Sequence, residues 1–231
     1  TGLVESLRVV KEAEEMALIT QAAAIADGAY THIKGGIEVG MTELEVAWEI
    51  EKFLRENRSQ PLPFEVIVAS GLNSALPHAK PSSRVIGAGE PVVIDIGARF
   101  GGYTSDLTRT ICLGSGNDTF HKLYDLVLRA QLAAIAGIRD NMTGEEADRL
   151  ARAVIEQAGY GDAFGHGLGH GIGLDTHERP RLAPKSSEPL SNGMVFTVEP
   201  GIYLSGWGGV RIEDDVVLEN GKARVISQAA K

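Results

Sequence analysis

The chain has 231 residues, 43% of them hydrophobic and 23% charged, which is the ordinary balance of a globular domain. A formal net charge of −9 without a basic cluster argues against nucleic-acid and anionic-membrane partners, and no apolar run approaches the ~18 residues that cross a membrane. The single cysteine excludes an internal disulfide and favours a reducing, cytoplasmic compartment.

Two helices followed by short strands are predicted for the first half of the chain. The predicted elements are a helix over 8–34, a helix from Thr42 to the break at 57–63, and strands over 64–69, 91–99 and 103–113. Gly35 and Gly36 follow the first helix, as is common at a helix C-terminus. Thr42 and Glu45 have the spacing of a capping box, so the second helix has a local cause for its start.

The same order of elements recurs in the second half. The predicted elements are a helix from 117 or 118 to about 138, a helix from 143 to about 157, and strands in 164–178, 194–199 and 210–218. Thr143 and Glu146 repeat the capping box of Thr42 and Glu45 at an offset of 101 residues. The alternative is a chance similarity of two capped helices. The repeat predicts one domain over 1–231, with pseudo-symmetric halves 1–115 and 116–231 and a shared sheet covered by helices.

A stretch rich in glycine and histidine, Phe164–Glu178, contains three of the six histidines. Glycine occupies every second position from Gly165 to Gly173, which excludes a stable helix and allows close approach to neighbouring backbone. No G-x-G-x-x-G nucleotide fingerprint fits. One such histidine would favour a core role in a glycine-rich turn, whereas three favour a metal or catalytic site.

Two pairs of carboxylates are placed to face each other across predicted hairpins. A turn at Phe100-Gly101 would set Asp95 directly opposite Asp106, with Cβ atoms roughly 4.5–5.5 Å apart, and a turn at Gly101-Gly102 would set them near-diagonally. In the second half, Glu199 and Glu213 lie symmetrically about Gly206. Four facing carboxylates require cations between them. With His166 or His170 as a nitrogen ligand, they predict a dinuclear site that suits Mn²⁺, Fe²⁺ or Co²⁺ at least as well as Zn²⁺.

Six segments in order along the chain resemble one family. They are Asn73–His78, Asp95–Ala98 with Tyr103–Thr110, His166–His170, His177–Pro180, Thr197–Gly201 and Arg211–Asp215. Together they are similar to the catalytic domain of the pita-bread metallopeptidases, the group of methionine aminopeptidase, aminopeptidase P and prolidase. The resemblance implies the α/β pita-bread fold and five metal ligands, which are Asp95, Asp106, His170, Glu199 and Glu213. It favours His170 over His166 as the ligand.

The resemblance also implies roles for the remaining site residues. Two divalent ions, with Mn²⁺ or Co²⁺ preferred and Zn²⁺ or Fe²⁺ as further candidates, would share a hydroxide that attacks the scissile carbonyl. Glu199 would also carry the proton, and His177 would stabilise the carbonyl oxygen. His78 would lie near the leaving nitrogen, and His166 would line the pocket for the residue after the cut. Arg211 would orient carboxylate ligands, or form a plain surface salt bridge.

The proline-specific branch of the family matches best at Arg211–Asp215 and at the paired histidines His166 and His170. We therefore expect peptide substrates with proline at the second position. The alternatives are a methionine aminopeptidase-like enzyme and a non-catalytic pita-bread binding module; the carboxylate quartet argues against a metal-free creatinase-type hydrolase. The family's additional N-terminal domain is expected to be absent, so the chain would be a fragment or differ in substrate range. The resemblance also allows a homodimer.

Overall fold

The computed structural model describes residues 2–231, in which five α-helices and twelve strands are formed. The helices are α1 (Leu3–Arg8), α2 (Ala13–Gly36), α3 (Glu43–Glu56), α4 (Asp118–Gly137) and α5 (Gly144–Gln157). The strands are β1 (Ile67–Ser70), β2 (Pro91–Ile96), β3 (Arg99–Phe100), β4 (Tyr103–Thr104), β5 (Leu107–Cys112), β6 (Gly169–Gly171), β7 (Glu178–Leu182), β8 (Val195–Val198), β9 (Gly201–Leu204), β10 (Gly208–Arg211), β11 (Asp214–Glu219) and β12 (Lys222–Val225). None of the helices within residues 2–231 is long and apolar enough to cross a bilayer.

The helix predicted over 8–34 is wrong at its start. The chain is extended between α1 and α2, because Lys11 N–H donates to the Gly193 carbonyl at 2.8 Å and Val10 forms a β-bridge with Met194. Helix α2 therefore begins only at Ala13, where Glu12 and Glu15 form a capping box.

Both capping boxes predicted from the sequence are confirmed. Thr42 and Thr143 each accept a hydrogen bond at 3.2 Å from the N–H three residues on, and Glu45 and Glu146 each reach back at 2.7 Å. The 101-residue repeat extends to the preceding helix ends, where Ile37 N–H and its counterpart Ile138 N–H close the last turns of α2 and α4. Equivalent local sequences thus end and restart the helices in the same way.

The strands form two main antiparallel sheets. One has the order β1-β2-β5, and the other has the order β12-β11-β8-β6-β7, while β3-β4 and β9-β10 are two-stranded. The sheet expected to be shared is therefore interrupted, and the two parts are joined by Glu213 N–H, which donates to the Thr108 carbonyl at 3.0 Å. Strands β7 and β12 were not predicted, because both are short and rich in charged residues.

Each half has its own apolar core between its helices and its strands. Ile33, Ile50 and Ile94 belong to the first, and Leu126 and Phe196 belong to the second. These side chains are 0–2% exposed. Burial of each large aliphatic or aromatic side chain contributes about 1.5–3 kcal/mol, so the two cores stabilise the strands that carry the site.

Candidate active site

A cleft of about 880 Å³ contains all nine site residues predicted from the sequence. These are His78, Asp95, Asp106, His166, His170, His177, Glu199, Arg211 and Glu213. They come from both halves of the chain and are separated by up to 135 positions. The folding of the two halves against each other therefore brings these nine side chains into one concave site.

The first hairpin places Asp95 and Asp106 near-diagonally. Asp95 pairs with Thr108, and the register continues through β3 and β4 to a two-residue turn. The direct opposition that a Phe100-Gly101 turn would give is therefore wrong. The turn residues are Gly101 and Gly102, with φ of 58° and 90°, the positive values that tight hairpin turns require and glycine adopts freely.

The second hairpin turns about Gly206, as predicted, and sets Glu199 opposite Glu213. Val198 pairs with Asp214 on one side of them, and Gly201 pairs with Arg211 on the other. The strands predicted over 194–199 and 210–218 are nevertheless wrong at the glutamates, because β8 ends at Val198 and Glu213 lies in the gap between β10 and β11. The reason is that Glu199 N–H donates to the Leu168 carbonyl at 2.8 Å and Glu213 N–H donates to a carbonyl of β5.

Asp106 lies at a similar break, between β4 and β5. Its N–H donates to both carboxylate oxygens of Asp215, at 3.2 and 3.1 Å. Asp214 forms an ion pair with Arg109, whose Nη2 lies 2.7 Å from Asp214 Oδ1. Asp214 and Asp215 thus support the carboxylates of the cleft from behind and do not line the cleft.

The carboxylate and imidazole groups leave a space suited to cations. Ligand atoms of Asp106, His170 and Glu213 all lie within 4.8 Å of one another. His170 Nε2 is 3.3 Å from Glu199 Oε1 and 3.8 Å from Asp106 Oδ2. The buried Oδ1 of Asp95 has no hydrogen-bond partner within residues 2–231. An unsatisfied buried carboxylate oxygen is costly, and a cation beside it would satisfy it.

The protonation of His170 strengthens this fit. Nδ1 lies 3.1 Å from the Gly171 carbonyl, which can only accept, so Nδ1 carries the hydrogen. Burial lowers the pKa of His170, which favours the neutral ring. Nε2 therefore directs a lone pair at two carboxylate oxygens. A metal ion between Nε2 and these oxygens would accept that lone pair.

Burial and mutual repulsion raise the pKa values of the clustered carboxyl groups. For Asp106 the main cause is desolvation, followed by the charge of Glu213. The pKa of Glu213 is raised in the same way, and burial also raises that of Glu199. Two hydroxyl groups hold the glutamates, since Thr108 donates to Glu213 at 2.5 Å and Thr197 donates to Glu199 at 2.9 Å.

Tyr203 is a site residue that the sequence analysis missed. Its hydroxyl accepts from Arg211 Nη1 at 2.9 Å and lies 2.9 Å from Nε2 of His166. Burial raises the pKa of Tyr203 to about 12, so the hydroxyl stays protonated. A Cβ on Gly201 would come within 2.6 Å of this hydroxyl, so glycine is needed there. The symmetric hairpin about Gly206 could have revealed Tyr203, because it puts this residue and Arg211 on one face.

Arg211 is buried and binds directly to the carboxylate cluster. Its Nη2 donates to Asp95 Oδ2 at 2.6 Å, and its Nε donates to Thr108 Oγ1 at 3.1 Å. Its side chain is only 4% exposed, so the alternative of a plain surface salt bridge is wrong. Arg211 thus fixes one oxygen of Asp95, while the other has no hydrogen-bond partner within residues 2–231.

The remaining two predicted histidines, His78 and His177, also line the cleft. The His177 ring centroid lies 4.2 Å from that of His170. The chain bends over residues 173–177, between β6 and β7, and this bend brings His177 to the cleft. His78 follows Pro77, whose carbonyl accepts from Arg211 Nη1 at 3.2 Å. The structure thus places His78 and His177 in the same cleft as the carboxylates.

The alternating glycines bring β6 against its neighbours. A Cβ on Gly169 would lie 2.0 Å from the Thr197 carbonyl oxygen, and one on Gly171 would lie 2.1 Å from that of Arg179. The predicted close approach of this stretch to other backbone is therefore confirmed. It allows His170, between these two glycines, to project into the cleft.

Comparison with known proteins finds relatives that match nearly the whole length of this chain. The sequence model of metallopeptidase family M24 matches residues 17–220. An Xaa-Pro dipeptidase of Pyrococcus furiosus is 44% identical over 224 residues, covering 96% of this chain and 64% of its own length. The structure of an Xaa-Pro dipeptidase from Bacillus anthracis has a TM-score of 0.98 and 48% identity, covering 100% of this chain and 65% of that one. The X-Pro aminopeptidase from Thermotoga maritima has a TM-score of 0.95, 41% identity and coverages of 98% and 64%. The chain thus spans slightly less than two thirds of each of these three relatives.

Proposed function

Because the chain belongs to metallopeptidase family M24 and has the pita-bread fold, we propose that it hydrolyses the peptide bond before a proline with the help of two divalent metal ions. The observation that carries this proposal is the convergence of four carboxylates and a neutral imidazole in one cleft. The substrate class rests on the likeness to Xaa-Pro dipeptidases and to an X-Pro aminopeptidase.

The proposed ligands are Asp95, Asp106, His170, Glu199 and Glu213. Their oxygen-rich set suits Mn²⁺ or Co²⁺, and also Fe²⁺ or Zn²⁺. Two such ions supply Lewis-acid chemistry, since they polarise a carbonyl and make water more nucleophilic at neutral pH. The orphaned Asp95 oxygen and the Nε2 lone pair of His170 are the two features that favour metal over a purely hydrogen-bonded cluster.

The other residues of the cleft would act on the substrate. Glu199 has its Oε1 hydrogen-bonded to Thr197, and its carboxylate would take a proton from water and pass it to the leaving nitrogen. His177 would donate a hydrogen bond to the carbonyl oxygen as negative charge develops there. His78 would contact the amide of the bond that is cut.

The wall made by His166, Tyr203 and Arg211 would face the residue after the cut. Nδ1 of His166 lies 2.8 Å from the Gly167 carbonyl, so it carries the hydrogen, and burial lowers the pKa of this ring. Tyr203 then donates to Nε2, and the three side chains form a fixed chain of hydrogen bonds. A rigid wall of this kind would suit the rigid ring of proline.

The positively charged side chain of Arg181 favours short substrates. Arg181 lines the cleft, and its backbone pairs with that of His170. It forms no ion pair with any side chain within residues 2–231. A guanidinium group is well suited to bind the terminal carboxylate of a dipeptide. We therefore place dipeptides ahead of longer peptides as substrates.

The test is a panel of Xaa-Pro dipeptides and tripeptides assayed with Mn²⁺, Co²⁺ and Zn²⁺. We expect cleavage before proline, with kcat/KM higher for dipeptides, and loss of cleavage in excess chelator. Preferred release of methionine from peptides without proline would instead indicate a methionine aminopeptidase-like enzyme. Metal binding without cleavage of any peptide would indicate a binding module.

A further inference from the structure

Residues 3–12, which we name the N-terminal arm, lie outside the stretch that matches the family model, residues 17–220. The arm nevertheless reaches the cleft, because Glu5 and Arg8 are among the residues that line it. It contacts residues 173–178, which we name the His177 bend.

The contact is a compact cluster of charges centred on Glu178. Lys11 Nζ donates to Glu178 Oε1 at 2.6 Å, and Arg8 Nη2 donates to Glu178 Oε2 at 2.5 Å. The Lys11 side chain is 1% exposed and that of Glu178 is 9% exposed. Arg8 also binds Asp175 at 2.7 Å. Ion pairs excluded from water hold geometry better than exposed ones, because solvent does not screen them.

The arm is itself fixed to the core. Lys11 N–H donates to the Gly193 carbonyl at 2.8 Å, and Val10 forms a β-bridge with Met194, directly before β8. Lys11 Nζ also donates to the Arg8 carbonyl at 2.6 Å. Glu178 is therefore tied, through one lysine, to the strand that leads to Glu199.

The other attachments of the His177 bend lie mostly at its start. Arg99 Nη1 donates to the Leu174 carbonyl at 3.2 Å, and Thr104 Oγ1 donates to the Gly173 and Asp175 carbonyls at 3.1 and 3.4 Å. Gly173 accepts a backbone hydrogen bond from Thr104 at 2.8 Å, and Thr176 Oγ1 lies 3.5 Å from the Pro63 carbonyl. A Cβ on Gly173 would come within 2.5 Å of Glu178 Oε1, so the glutamate carboxylate packs against the start of the bend. Glu178 is thus the last residue of the bend, and its carboxylate contacts the first one.

We propose that Lys11 and Arg8 are positioning residues that act through Glu178 to hold the His177 ring beside His170 in the cleft. This inference rests on the proposed function in assigning His177 to the substrate carbonyl. The placement of the ring itself does not depend on that function. The N-terminal arm thereby helps to position a side chain of the site, although it lies outside residues 17–220.

The test compares Lys11→Met with Lys11→Arg in the full chain loaded with saturating Zn²⁺ for spectroscopy and Mn²⁺ for kinetics. Histidine-selective NMR reports the His177 ring, which is assigned from the spectrum of His177→Gln. Arg84→Met is the matched control, because the Arg84–Glu90 ion pair is similarly short at 2.6 Å and part-buried, and neither residue lines the cleft. Gly173→Ala disturbs the position of Glu178 from the side opposite Lys11, because the added Cβ would meet Glu178 Oε1.

We expect Lys11→Met and Gly173→Ala to shift the His177 ring signal and to lower kcat on a Xaa-Pro dipeptide at least tenfold, with KM changed less than threefold. Lys11→Arg should restore most of kcat, and Arg84→Met should leave the His177 signal unchanged. An unshifted His177 signal in folded Lys11→Met would overturn the proposal. If no variant or parent cleaves peptides, the proposed function fails, and the NMR comparison alone still decides whether the arm positions His177.

Discussion

Glu199 lies directly opposite Glu213 in a single hairpin register, yet neither residue belongs to a strand. The pairs Val198–Asp214 and Gly201–Arg211 flank them in that register. Their N–H groups instead donate to the Leu168 and Thr108 carbonyls, on two different segments. The break in the ladder lets both glutamate side chains share one cleft with Asp95 and Asp106. In the first half only Asp106 lies at such a break, whereas Asp95 belongs to β2 and faces Asp106 near-diagonally.

Asp106→Ala should remove one ligand and leave the fold intact. Because both ions would depend on the full carboxylate set, we expect Mn²⁺ content to fall and activity to drop by several powers of ten. The raised pKa of Asp106 shows that its charge is unfavourable without metal, so the metal-free variant should be no less stable than the metal-free parent. Elemental analysis and thermal unfolding measure both effects. Near-normal turnover in this variant would exclude Asp106 from the site.

His177→Ala and His170→Ala should differ in their effect on metal content. His170 is the proposed ligand, so its loss should lower Mn²⁺ content. His177 would act on the substrate, so its loss should leave metal content unchanged and lower kcat by roughly 10²–10³, as for removal of one oxyanion donor. Equal loss of metal in both variants would show that His177 is a ligand.

Gly169→Ala and Gly165→Ala separate two glycines of the same run. A Cβ on Gly169 would lie 2.0 Å from the Thr197 carbonyl oxygen, whereas one on Gly165 meets nothing within 4 Å. The first substitution should therefore lower the free energy of unfolding by about 1–3 kcal/mol or more, because it forces β6 from β8. The second should stay within about 0.5 kcal/mol of the parent. Urea unfolding measures both values, and equal costs would contradict the close packing of β6.

The stabilisation that Mn²⁺ gives should grow as the pH rises from 5 to 8. The pKa values of Asp106 and Glu213 are raised in the folded metal-free chain, so their contribution to stability is present at acid pH and is lost as the pH rises through those values. Metal binds the deprotonated groups and reverses that loss. We expect the difference in Tm between Mn²⁺-loaded and chelator-treated protein to increase with pH. A difference that is constant or larger at pH 5 would contradict the metal assignment.

Much of the site could be predicted because its geometry follows from local spacing. The symmetric placement of Glu199 and Glu213 about Gly206 gave the hairpin and its register, and the spacing about Gly101-Gly102 was one of two alternatives for Asp95 and Asp106. The capping residues fixed the starts of α3 and α5. In each of these cases residues near in sequence determine the local structure.

The parts that could not be predicted depend on contacts between distant segments. The break at Asp106 arises from its hydrogen bond to Asp215, which is 109 positions away. The late start of α2 arises because Lys11 binds Gly193 and Glu178. No periodicity in 1–34 encodes those partners. The helical pattern of residues 8–12 was therefore overridden by tertiary pairing.

The most direct test of the central claim is a Mn²⁺ titration of the metal-free chain with hydrolysis of Ala-Pro as the readout. Dinuclear chemistry in this cleft predicts activity that rises with added Mn²⁺ and saturates at two ions per chain, with bound metal measured in the same samples. The same titration of Glu213→Gln should stay inactive throughout. Hydrolysis that is unaffected by complete removal of metal, or a fully loaded chain that leaves Ala-Pro intact, would contradict the account.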